Sequence, residues 1–128
     1  MSGPITFTQK GSFRNTERYL RRLSEPKRLA ILERYATLGV NALSNATPME
    51  SGETAFSWSY SIVQRPGYYS IRFHNSHMAG PTPVAILIQY GHGTGTGGYV
   101  QGIDYINPAM RPIFEEMANK AWEEVTRV

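Results

Sequence analysis

Residues 56–62 read Phe56-Ser57-Trp58-Ser59-Tyr60-Ser61-Ile62, an aromatic or aliphatic side chain alternating strictly with serine. Successive side chains of a strand point to opposite faces, so this period of two predicts a strand with Phe56, Trp58, Tyr60 and Ile62 buried and the serines outside. Arg65-Pro66-Gly67 supplies a turn. Beyond it Tyr69, Ile71 and Phe73 alternate with Ser70, Arg72 and His74, which makes the second arm of an antiparallel hairpin. A loop follows over residues 75–83. Val84-Ala85-Ile86-Leu87-Ile88 shows no polar alternation and reads as a strand covered on both faces, central in the sheet. A short fourth strand is placed at residues 103–106.

Helices flank this sheet. Phe13, Tyr19, Leu20 and Leu23 recur at helical spacing among Arg14, Arg18, Arg21 and Arg22, which predicts a helix over residues 12–23. Ser24-Glu25-Pro26 interrupts it, because Pro26 lacks an N–H and disfavours helical geometry at Glu25; Ser24 is then the N-cap of a second helix running to about Leu43. That helix carries two apolar stripes, Leu29, Leu32, Ala36, Val40 and Leu43 beside Ile31, Tyr35, Leu38 and Ala42. Such a width leaves one stripe for the sheet and the other for the C-terminal helix or another subunit.

Thr47-Pro48-Met49-Glu50-Ser51-Gly52 is a turn cluster that closes the helical region. Asn107-Pro108 offers an N-cap and first-turn proline for a closing helix, whose Met110, Ile113, Phe114, Met117, Ala118, Ala121, Trp122 and Val125 share about half the circumference. Pro112 is expected to distort its first turns. The fold class is therefore α+β: N-terminal helices, an antiparallel sheet of three to four strands, and a C-terminal amphipathic helix packed on the sheet. It forms one domain over residues 1–128, with residues 1–11 a flexible arm.

Composition narrows the function classes. A chain of 128 residues, 41% hydrophobic and 18% charged, with mean hydropathy −0.37, has the balance of a single globular domain. It contains no cysteine, which removes disulfides, thiolate metal sites and cysteine nucleophiles. Its longest aliphatic run falls far short of the roughly 20 residues of a membrane span, and MSGPITFTQK lacks the apolar region of a signal peptide, so a soluble intracellular protein is expected. Residues 1–35 hold eight basic and three acidic residues, a local charge of +5 against −2 for the remainder. The basic patch of Arg14, Arg18, Arg21, Arg22, Lys27 and Arg28 reads first as a solvated helix face, because Glu17 and Glu25 interrupt it and aromatic residues are sparse there. A small nucleic-acid-binding module using this basic helix is the alternative function.

No arrangement asks for catalysis. Gly93-x-Gly95-x-x-Gly98 has the spacing of a dinucleotide fingerprint, yet no helix is predicted to begin at Gly98 and Ala118 stands where an acidic ribose ligand would be. His74, His77 and His92 with Asp104 lack the tight ligand spacing of a zinc site. The expectation is no enzyme, no metal and no cofactor. What remains is the stretch Tyr90-Gly91-His92-Gly93-Thr94-Gly95-Thr96-Gly97-Gly98-Tyr99, a glycine-rich loop expected to be mobile when free and to order on a partner.

The order of three motifs carries a resemblance. Ala46-Thr47-Pro48-Met49-Glu50-Ser51-Gly52 ends the helices, Val84-Ala85-Ile86-Leu87-Ile88-Gln89-Tyr90-Gly91-His92-Gly93 leads into the loop, and Asp104-Tyr105-Ile106-Asn107-Pro108-Ala109-Met110 opens the last helix. Over about residues 12–127 this resembles the tail-completion, or head-tail joining, family of long-tailed bacteriophages, often labelled gene-product-ten-like. Thr47 stands where alanine is common in that family, and Pro112 is an unusual addition.

The resemblance implies a structural virion protein of the neck, assembled in the host cytoplasm, that joins the head-closure and portal complex to the tail tube without a catalytic step. Its implied partners are copies of itself in a ring, with six the leading number, and head-closure and tail-terminator or tail-tube proteins. The basic patch would face acidic neighbours or packaged DNA; no membrane is involved. Ile31, Tyr35 and Leu38 are the candidate subunit interface, and the loop from Tyr90 to Tyr99 the contact with an adjacent ring.

Overall fold

A computed structural model describes residues 4–5, 14–48, 52–66 and 68–126. The elements run β1 (Pro4–Ile5), α1 (Arg14–Arg22), α2 (Glu25–Ala46), α3 (Gly52–Ala55), β2 (Trp58–Arg65), β3 (Tyr68–Asn75), β4 (Met78–Ala79), β5 (Thr82–Pro83), α4 (Val84–Tyr90), β6 (Gly91–Gly93), β7 (Tyr99–Gln101) and α5 (Ile106–Thr126). The class is α+β. β2 and β3 form the expected antiparallel hairpin in unbroken register from Trp58 opposite Asn75 to Arg65 opposite Tyr68. The reversal falls on Pro66 and the residue after it, which lies outside the described residues.

The rest of the expected sheet is not built. Val84 to Ile88 is helical as part of α4, and the 103–106 segment is extended loop running into the first residue of α5. Among the described residues only the two of β1 add to the hairpin, pairing Pro4 with His74 and Ile5 with Phe73 on the far side of β3. These two belong to the expected N-terminal arm; the rest of that arm lies outside the described residues. β4 with β5, and β6 with β7, make separate two-stranded ribbons.

The helix that covers the hairpin is α2. Ser24 takes the N-cap geometry expected of it, its carbonyl accepting the Arg28 N–H at 2.9 Å, although its side chain makes no cap bond. The helix continues three residues past the expected end. Along it Leu32, Tyr35, Ala36, Gly39 and Leu43 are buried. Gly39 is where close approach is demanded: a Cβ there would lie 2.6 Å from Cζ of Phe73 on β3 and 3.2 Å from Cε of Met110 on α5. Lacking a side chain, it lets α2 lie against the sheet and α5 together.

The C-terminal helix was expected on the sheet, but it packs chiefly against α1 and α2. Its first turns reach the sheet core, where Ile106 and Met110 join Leu43, Trp58, Phe73, Ala85 and Tyr105. Met110 and Ala121 are buried, whereas Ala118 and Trp122 are exposed at the edge of the stripe. Helical structure runs through Pro112 without a break.

The buried face of β2 also differs at its start. Gly52 to Ala55 form a helical turn, and the Phe56 N–H still donates to the Gly52 carbonyl at 3.2 Å, so the strand begins at Trp58. Phe56 is 89% exposed and Trp58 7%. Tyr60 is exposed and Ile62 half-buried, so burial fades toward the hairpin turn. Ser59 and Ser61 face outward as expected.

Candidate functional site

The three motifs quoted above meet at one buried junction. Gln89 is buried in the last turn of α4, and its Oε1 accepts the N–H groups of Tyr105 at 3.0 Å and Ile106 at 2.9 Å. It thereby caps the start of α5, whose first N–H groups have no partner within the helix. Its Nε2 donates to Oδ1 of Asp104 at 2.7 Å, and Asn107 Nδ2 donates to the same oxygen at 3.0 Å. The cap expected at Asn107 is therefore made by Gln89 and Asp104, because the helix begins at Ile106, two residues earlier than an Asn107 cap implies. The Tyr105 hydroxyl donates to the Ala85 carbonyl at 2.8 Å, and burial raises its pKa. Thr47 completes the joint: it accepts the Trp58 indole N–H at 3.0 Å and donates to the Leu43 carbonyl at 2.6 Å. A residue where alanine is common in the resembled family thus satisfies a buried tryptophan. Met49, Glu50 and Ser51 lie outside the described residues.

Asp104 makes a pH prediction. The Gln89 hydrogen bond first, and then those from the Asn107 side chain and backbone, hold its carboxyl below the ordinary 3.8, against a smaller opposing effect of desolvation. Because the folded pKa lies below the unfolded one, these bonds contribute fully above about pH 3.8 and are lost as pH falls through the lowered folded value. A carboxyl titration followed by NMR should give Asp104 a midpoint below 3.8; a midpoint at or above it contradicts this arrangement.

From this junction the 91–102 segment projects as a ribbon. It was expected as a glycine loop, and it forms β6 against β7, with Gly91 opposite Gln101, His92 opposite Val100 and Gly93 opposite Tyr99. At its base Gly91 has φ +80°, and a Cβ there would lie 2.5 Å from the Val100 carbonyl oxygen; a Cβ at Gly102 would lie 2.5 Å from the Gln89 carbonyl oxygen. Backbone meets backbone here, so neither glycine can carry a side chain without displacing the ribbon. The Ile103 N–H donates to the Ile88 carbonyl at 2.8 Å, tying the base to α4. At the tip the Thr94 N–H donates to the Gly98 carbonyl at 3.0 Å, with Gly95 and Gly97 at positive φ. The Gly93-x-Gly95-x-x-Gly98 spacing belongs to this tip and opens no helix.

The surface of the ribbon is uncharged, with aromatic and aliphatic side chains grouped toward its base and glycine and threonine at its tip. Tyr90 is 67% and Tyr99 68% exposed, Val100 and Ile103 are exposed beside them, and the Tyr99 hydroxyl donates to the Tyr90 carbonyl at 3.1 Å. His92 is half-buried, and residues 93–101 are all exposed. No Asp, Glu, Lys or Arg occurs anywhere from Phe73 to Ile103. That run was the sequence signal for this surface, since apolar side chains grouped without charge are cheap to desolvate against another molecule.

The other expected site residues are dispersed. Tyr35 is 4% exposed and belongs to the core, while Ile31 and Leu38 are half-buried. Tyr35 borders a groove of about 480 Å³ between α2 and α5, where Arg34 approaches Glu116 at 4.0 Å. In the basic patch, Arg18, Arg21, Arg22 and Lys27 are exposed. Arg28 leaves that patch: it donates to the carbonyls of Leu20 and Leu23 at 3.0 Å and stacks 4.9 Å over the Tyr69 ring, stapling the α1–α2 corner to the hairpin. The side chain of Arg14 lies outside the described residues.

His74 and His77 go to separate structural bonds, whereas Nδ1 of His92 is buried without a hydrogen-bond partner. His74 pairs with Ser61 across the hairpin at 2.9 Å. His77 Nδ1 lies 2.7 Å from the Thr54 hydroxyl and its Nε2 3.4 Å from Glu53. The connectivity imitates an activated nucleophile, but Thr54 is fully buried, so its oxygen meets no outside molecule. With the buried Asn75, which donates to the Thr54 carbonyl and accepts the His77 N–H, it fastens α3 to the end of β3. Among the described residues no three His, Asp or Glu side chains gather as metal ligands, and no helix is long and apolar enough to cross a membrane.

No family model, curated protein or solved structure matches the chain.

Proposed function

We propose that the chain is a structural subunit of the neck of a long-tailed bacteriophage, joining the head-closure and portal complex to the tail tube. The observation that carries this reading is the junction: Ala85 and Gln89 bond Tyr105 and Ile106 at the start of the last helix, Thr47 holds Trp58 in the same core, and the joint holds out an uncharged ribbon with tyrosines at its base. A catalytic centre would turn its polar groups toward a cleft, whereas here those of the junction face inward and the outward surface is uncharged. That is the economy of a docking element.

In this reading copies form a closed ring, hexameric to match the tail, and each ribbon meets the adjacent ring of head-closure, tail-terminator or tail-tube subunits. A ring interface is heterologous, so each copy presents two unlike surfaces and closure sets their angle. The exposed Arg18, Arg22 and Lys27 supply the basic surface toward acidic neighbours or packaged DNA. The subunit acts by geometry, carries no catalytic step, and passes from host cytoplasm to virion on assembly.

A phage with a nonsense codon early in this gene is expected to accumulate filled heads and finished tails that do not join, as counted by electron microscopy of lysates. Joined, infectious particles at wild-type yield would exclude the reading.

A further inference from the structure

The outer edge of β2 lacks the protections that free strand edges normally carry. β2 is eight residues long, it pairs with β3 without a bulge, and it contains no proline, no lysine and no charge before its last residue, Arg65. In an antiparallel pair every second residue turns its N–H and C=O away from its partner. Among the described residues no backbone hydrogen bond other than those to β3 reaches residues 59–65. Ser59, Tyr60 and Ser61 are exposed along it. The opposite edge of the sheet is by contrast partly covered, since β1 sits on Phe73 and His74. Unpaired, unbulged and uncharged edges are templates for another strand.

We propose that this edge pairs with β2 of a second copy, antiparallel about a two-fold axis, to give a continuous sheet across a symmetric dimer. The strand is self-complementary for this. Directly opposed residues share a face, so only registers that centre on a residue match the Trp58, Tyr60, Ile62 face of one copy to that of the other. With Ser61 on the axis, Tyr60 stands opposite Ile62 and Ser59 opposite Val63. With Ile62 on the axis, Tyr60 stands opposite Gln64 and Ser59 opposite Arg65. In neither does Arg65 face itself. Shifted by one residue, the apolar set of each copy would fall on the serine face of the other. The dimer stands independently of the neck reading, whose ring contact is heterologous.

Sedimentation velocity of the full chain across a concentration series tests it. One strand pair is a small interface, so a monomer–dimer equilibrium with a dissociation constant on the order of 100 µM is expected. The double variant Ser59→Lys/Ser61→Lys sets like charges opposite one another or beside Arg65 in either register. It should weaken the dimer at least about tenfold while melting as the wild-type monomer does, since both serines are exposed. Mixing it with Ser59→Glu/Ser61→Glu should restore a mixed dimer. A wild type that stays monomeric to about 1 mM, or a dimer indifferent to the lysines, overturns the proposal. Amide hydrogen exchange on the wild type reads the same edge without a variant: alternate amides of residues 59–65 should slow as concentration rises, and exchange independent of concentration overturns it.

Discussion

Trp58→Ala is expected to destabilise the protein by about 3–5 kcal/mol in chemical denaturation. The indole is 7% exposed, it lies in the cluster with Leu43, Phe73, Tyr105 and Met110, and its N–H is spent on Thr47. Truncation loses the buried area and leaves a cavity under α2, which is held close to the sheet at Gly39 and can collapse only by moving as a whole. The informative control is Phe56→Ala. The strict alternation of the sequence puts both aromatics on one face, whereas the structure leaves Phe56 89% exposed, so this variant should change stability by no more than about 0.5 kcal/mol. Equal costs at the two positions would restore the seven-residue strand and contradict the helical turn over Gly52–Ala55.

Gln89→Leu is expected to cost about 2–4 kcal/mol. The substitution keeps the volume but strips the acceptor from two N–H groups at the start of α5 and the donor from Asp104. Each buried donor left without a partner forfeits its desolvation energy, about 1–3 kcal/mol. Gln89→Glu separates this from packing. It keeps an acceptor for both amides but sets a carboxylate against Asp104, so it should be less stable than the wild type near neutrality and recover as pH falls toward about 4, when the pair can hold a proton. A leucine variant as stable as the wild type would show that Gln89 does not hold the junction.

Some of this was legible in the residues alone. The hairpin was, because serine alternation and Pro66 leave little freedom of register. So was the α1–α2 break, where Pro26 forbids the continuous helix that Leu20 to Leu32 would otherwise suggest. The 84–88 segment was read as a strand because five apolar residues show no period of their own. The competing signal was in its flanks: Pro83 precedes it, and Gly91, at φ +80°, sends its N–H back to the Leu87 carbonyl as a helix C-terminus does. Phe56 was placed inside because periodicity cannot tell where a strand begins, and the turn before it depends on Asn75 and His77, some twenty residues away.

Of the candidate site, the ribbon's place was legible and its support was not. Glycine density located the segment, but nothing in the sequence singles out Gln89, and Asp104 is weighed only beside the histidines as a possible metal ligand. Their roles exist only once α4 and α5 are brought together. Tyr35 is core and not free surface, because a wide apolar face says how much can be covered and not by what, and here α2 packs against β2, β3 and α5. Arg28 likewise counts as positive charge in sequence and as a hydrogen-bonded staple in the fold.

On the proposed neck function the ribbon is what the junction exists to present, and deletion of residues 93–98 in the phage tests that proposal most directly. The deletion removes the tip while leaving Gln89, Asp104 and Tyr105 in place, so the protein should still fold, as circular dichroism and melting of the purified chain would report. Mixed lysates should then contain filled heads and finished tails that fail to join, and adding wild-type protein should restore joining. Joined, infectious particles formed at normal yield without those residues would contradict it.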